Sequence, residues 1–111
     1  MYEALKLIWS KALFETRANV LALTVPESGW SRDAISMRQK ALNELILSHR
    51  EDRFYTADVC AAMPWPEDVV EQARIWDDGL HFTRIGYGVL GDVVADRLLG
   101  IIDSNALVAE L

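Results

Sequence analysis

Apolar residues Leu5, Ile8, Trp9, Ala12 and Leu13 recur at helical spacing from Tyr2 to about Thr16, with Glu3, Lys6, Lys11 and Glu15 mostly elsewhere, so a helix is predicted there. After Asn19 the pattern changes to the continuous apolar run Val20-Leu21-Ala22-Leu23-Thr24-Val25, closed by Pro26. A short run without alternation predicts a strand buried on both faces, and proline directly behind it argues against a helix. Glu27 to Trp30 is a loop and Ser31 an N-cap, with Asp33 favourable in the first turn that follows. Ala34, Met37, Ala41, Leu45 and Ile46 then trace a helix to His49, its stripe widened by Leu42 and Leu47. A charged loop, Arg50 to Arg53, leads to a second strand, Phe54 to Val59. Strand, helix and strand make one βαβ unit with a right-handed crossover.

Residues 60 to 76 read as loop-like, interrupted by Pro64-Trp65-Pro66 and by a short helix from Glu67 to Arg74. Thr83 is the N-cap of a long amphipathic helix marked by Ile85, Leu90, Val93, Val94, Arg97, Leu98, Ile101 and Ile102. From Asp103 onward the pattern is weak.

Composition narrows the class. A chain of 111 residues that is 51% hydrophobic and 25% charged is globular and of a size for one domain. A net charge of −6 with scattered arginines argues against nucleic acid, whose phosphates need clustered Lys and Arg. The single cysteine, Cys60, excludes an internal disulfide and a thiolate zinc cluster, and reads as a small buried hydrophobe. No apolar stretch is long enough to span a bilayer, and Met1 to Lys6 is not a signal-peptide start, so a cytoplasmic protein is expected. No cofactor is expected.

The candidate chemistry lies in Asp77-Asp78-Gly79-Leu80-His81-Phe82-Thr83. A histidine acting as general base needs a carboxylate on its far ring nitrogen, which fixes the tautomer and steadies the imidazolium. Asp78 precedes His81 by three residues across a glycine-containing turn, so its carboxylate can fold back; Asp77 is a rival. These three could also hold a metal, but no further histidine or cysteine cluster supports that. The other histidine, His49, reads as a surface residue suited to a helix C-terminus. Trp30, Trp65 and Trp76 sit in loops that could rim a pocket.

The stretch Trp76-Asp77-Asp78-Gly79-Leu80-His81-Phe82-Thr83-Arg84-Ile85-Gly86-Tyr87, followed by a long helix, resembles the last block of the SGNH (GDSL-type) hydrolase family, and fungal members most. Val20 to Glu27 resembles the family's fourth strand and following loop, Arg38 to Asn43 the next helix, and Phe54 to Val59 the fifth strand. The resemblance implies an α/β fold, specifically the C-terminal half of a flavodoxin-like three-layer fold with two parallel strands in a βαβ unit plus flanking helices. It also implies carboxylic-ester hydrolysis by a Ser-His-Asp triad, with His81 as general base and Asp78 as the orienting acid. The family's nucleophile and oxyanion blocks have no counterpart: no Gly-Asp-Ser, Gly-x-Asn-Asp or Gly-x-Ser-x-Gly occurs. Ser28, just beyond the first strand on the side where such sheets bind ligands, is the candidate substitute nucleophile; the simpler alternative is a solvated loop serine. An exposed strand edge is also expected, which a homodimer or a complementing chain would cover. The expected partner is therefore a small-molecule ester if the protein is active. The alternative is a non-catalytic interaction or regulatory module derived from the fold.

Overall fold

The computed structural model describes residues 1–29 and 33–110, leaving aside the side chains of 33, 34 and 106–110. Mixed helix and strand follow the expected order: α1 (Tyr2–Ser10), β1 (Val20–Leu23), α2 (Asp33–Ser48), β2 (Phe54–Ala57), α3 (Val59–Ala62), α4 (Val69–Ile75) and α5 (Arg84–Glu110). The chain divides into two compact units, Met1–Pro64 and Trp65–Leu111.

In the first unit β1 and β2 form a two-stranded parallel sheet, with Val20 opposite Phe54 and Leu23 opposite Ala57. The buried face of α1 is Tyr2, Leu5, Trp9 and Leu13, which packs with Val20, Ala22, Leu42, Ile46 and Phe54 into one core. Ile8, predicted to share that face, is 62% exposed. It sits one position, about 100° of helix rotation, from Trp9, and the buried stripe is too narrow to include it. Lys11–Glu15 continues α1 as a π-helical turn. The wider turn keeps Leu13 fully buried and leaves Phe14 outside.

Both strands are shorter than predicted, for reasons that lie in side chains. Asn43 on α2 is buried and clamps the Val25 backbone with both ends of its amide: Val25 N–H donates to Oδ1 at 2.8 Å, and Nδ2 donates to the Val25 carbonyl at 3.0 Å. A side chain thus replaces a strand partner there. At the end of β2, Asp58 turns the chain into α3, a helix predicted as loop; its Oδ1 accepts from Ala61 N–H at 3.2 Å. Thr24 ties the two strand ends together. Its hydroxyl donates to Asp58 Oδ1 at 2.9 Å and accepts from Cys60 N–H at 2.9 Å.

The clamp also sets the rotation of α2. Asn43 and Ile46 face inward, whereas Met37 and Leu45 of the predicted stripe are 73% and 46% exposed. Ile46 and Leu42 of the predicted stripe do reach the core, but its Met37 and Leu45 side faces out, because the residue that shares the inward face with Ile46 is the polar Asn43. Trp30 and the Ser31 cap lie outside the described residues.

In the second unit, Asp68 caps α4 through Val70 N–H. Thr83 caps α5 as predicted, accepting from Gly86 N–H at 3.1 Å. The helix continues beyond Ile102 to Glu110. Along it, Leu90, Val93 and Val94 are half-buried and Ile101 is buried, whereas Ile85, Leu98 and Ile102 of the predicted stripe are exposed. Gly86 is the contact point with α4: a Cβ there would meet the Ile75 carbonyl oxygen at 2.2 Å and Phe82 Cβ at 2.9 Å. Among the described residues no helix is long and apolar enough to cross a membrane.

Candidate functional site

Asp78 and His81 occupy the reversal between α4 and α5. Trp76 and Phe82 bridge as antiparallel partners, and Asp77 N–H donates to the His81 carbonyl at 2.8 Å. Gly79 takes the left-handed conformation, φ 82°, that lets so short a turn close. Below the turn, Thr83 N–H donates to the Ile75 carbonyl at 2.8 Å, and Thr83 Oγ1 donates to the Arg74 carbonyl. Trp76, buried, stacks with Phe82 at 4.4 Å and Trp65 at 5.2 Å between ring centroids; Phe82 meets Tyr87 edge-on at 5.4 Å. Two of the three tryptophans expected in loops, Trp65 and Trp76, thus join one aromatic base beneath the turn.

On this base the Asp78 carboxylate is held from three directions. Oδ1 accepts from His81 N–H at 2.7 Å and from Leu80 N–H at 3.0 Å, while Oδ2 accepts from His81 Nδ1–H at 2.7 Å. The backbone N–H of His81, then its imidazole, then the Leu80 N–H hold the Asp78 carboxyl well below the usual carboxylate range. The hydrogen bond to Asp78 raises His81 above its ordinary 6.5, helped by the charges of Asp78 and Asp77. Asp78, rather than Asp77, is therefore the carboxylate that orients the ring. No protein group among the described residues bonds Nε2 of His81, and the ring is 64% exposed. An imidazole fixed at Nδ1 with Nε2 open can accept and deliver one proton.

The other candidates are placed as follows. Ser28 lies half-buried in the loop after β1, in the first unit, whereas His81 belongs to the second. Cys60 is half-buried rather than buried. Burial pushes its thiol up, and the negative charges of Glu27 and Asp58 push it the same way, which disfavours a thiolate nucleophile. Among the described residues no group of three His, Cys, Asp or Glu is arranged to hold a metal.

His49 is not the surface residue its position suggested. Its side chain is 16% exposed and packs against Trp9 at 5.1 Å and Phe54 at 4.7 Å. Nδ1 pairs with the Tyr2 hydroxyl at 2.9 Å and Nε2 with Glu51 Oε2 at 2.9 Å. In the Nε2–H tautomer both bonds are made at once, the tyrosine donating and the glutamate accepting.

No family model, no curated protein and no solved structure matches the chain.

Proposed function

We propose that Asp78 and His81 form the acid–base half of a carboxylic-ester hydrolase site of the SGNH type. The observation that carries this reading is the carboxylate clamp: Asp78 bonds His81 Nδ1 at 2.7 Å while two backbone N–H groups fix the same carboxylate. In this reading Nε2 removes the proton from a nucleophilic hydroxyl as it attacks the ester carbonyl, then protonates the departing alcohol. The imidazole must be neutral to begin, so hydrolysis rises with pH through the raised value of His81.

The hydroxyl comes from Ser28 or from a second polypeptide carrying a Gly-Asp-Ser block. Such a segment has a natural seat, because each strand of the sheet has one edge without a partner strand among the described residues. A second copy of the chain would use the same edge.

The test is hydrolysis of an alkyl ester such as ethyl butyrate, chosen because free imidazole attacks nitrophenyl esters unaided. The purified chain is assayed alone, with Ser28→Ala, and with an added Gly-Asp-Ser segment. Turnover in at least one arrangement, abolished by His81→Ala, is expected. Turnover in none of them overturns the hydrolase reading and favours the alternative, a non-catalytic interaction module. The specific observation behind that alternative is the exposure of large apolar side chains, with Leu7 at 69% and Met37 at 73%.

A further inference from the structure

We propose that the open depression lined by Leu13, Phe14, Arg17 and Arg53 binds a small amphipathic carboxylate, its head on the two guanidinium groups and its apolar body on Phe14. The depression measures about 530 Å³, within the range of small-ligand sites. It lies wholly in the first unit and is independent of the ester-hydrolase reading.

The lining has the two chemistries such a ligand needs. Leu13 is fully buried, and Phe14 presents its ring at 65% exposure where the π-helical turn has rotated it out of the core. The charge runs against that of the whole protein: in a chain of net −6, both charged lining residues are arginines. Lys6, Arg74 and both histidines pair with carboxylates, but neither Arg17 nor Arg53 does so among the described residues.

Arg53 is positioned by the fold. Its Nη1 donates to the Ala18 carbonyl and its Nη2 to the Leu13 carbonyl, capping the end of the first helix. A guanidinium has five N–H donors, so among the described residues Arg53 has three left for a ligand and Arg17 keeps all of its own. Planar forks of this kind suit a carboxylate, which accepts two parallel bonds from each.

The backbone supplies a separate observation. The only non-glycine residues with positive φ among those described are Arg17, at 55°, and Arg53, at 61°. Such conformations are strained for a residue with a side chain and recur at ligand clamps. Here both fall on the same depression and at its two cations.

The experiment is a titration of the ¹⁵N-labelled full chain with octanoate, followed by amide chemical shifts, with 1-octanol and inorganic phosphate as parallel probes. Saturable shifts are expected at Phe14, Arg17, Ala18 and Arg53 with octanoate, and none with octanol at the same concentration. Arg17→Gln should weaken binding at least tenfold and Phe14→Ala several-fold, both with unchanged far-UV circular dichroism. Absence of saturation at millimolar octanoate overturns the proposal. So does an unchanged affinity in Arg17→Gln, or an equal response to octanol. Matching shifts from phosphate alone would overturn the amphipathic part, leaving a bare oxyanion site.

Discussion

The two histidines have the same nearest chemistry and opposite surroundings. Each has a carboxylate on one ring nitrogen, Glu51 on His49 at 2.9 Å and Asp78 on His81 at 2.7 Å. His49 spends its second nitrogen on the Tyr2 hydroxyl and lies edge-on to Phe54 in the first core, so both nitrogens are committed to holding α2 and β2 against α1. His81 leaves Nε2 to solvent on a turn that its own backbone closes. A carboxylate partner therefore does not by itself distinguish the two; the state of the far nitrogen does. The same pairing is structural at one position and available for proton transfer at the other.

The largest effect expected on this contrast comes from the seat of the His81 turn. Gly86→Ala drives a methyl group into the Ile75 carbonyl, which cannot yield without moving α4 from α5. A loss of about 3 kcal/mol is expected, at the upper end for overpacking, read as a fall in the urea midpoint. The near-ultraviolet signal of the Trp65, Trp76 and Phe82 cluster should weaken with it. Next is His49→Ala, which removes a ring from an aromatic core and strands the Tyr2 hydroxyl. A cost of about 2 kcal/mol in urea denaturation is expected. An undiminished midpoint in His49→Ala would break the comparison, because His49 would then hold nothing.

Much of this frame was legible before the structure. The apolar run closed by Pro26 marks a strand, and Thr83 ahead of a long periodic segment marks a helix start, because each is a local signal. Burial on both faces did not follow: in a sheet of two strands, Ala22 alone of β1 is buried and Leu23 is 40% exposed. The closeness of Asp78 and His81 was legible too, since Gly79 sits inside a four-residue reversal. What escaped is what polar side chains do at a distance. Asn43 looks like surface on a helical wheel, yet it turns α2 by reaching Val25, eighteen positions away in sequence. His49 follows a helix end like any surface residue until Tyr2, forty-seven positions earlier, is brought to its ring. Asp58 reads as the end of a strand but caps a helix, a distinction made by the Thr24 hydroxyl. The exposed face of α2 has the same origin: hydropathy finds apolar stripes but not the polar clamp that sets which stripe faces in.

The smallest effect on stability, and the most direct evidence on the site, concerns the charge of the Asp78–His81 pair. Because His81 is raised in the folded chain, its contribution to stability is complete below the ordinary value of 6.5 and is lost as pH climbs through its folded value. Asp78 is lowered, so its contribution is complete above the ordinary 3.8 and is lost as pH falls. Between those two ordinary values both groups are charged and the pair is at full strength. Both side chains are largely exposed, so solvent screens the energy, and the titration itself is the sharper readout. The decisive measurement is therefore the pH titration of the His81 ring proton by NMR, in the natural chain and in Asp78→Asn. A midpoint above 6.5 that falls back toward 6.5 in Asp78→Asn is the expected result. A midpoint at or below 6.5 in the natural chain, or one that Asp78→Asn leaves in place, would contradict the assignment of Asp78 as the carboxylate that orients and charges His81.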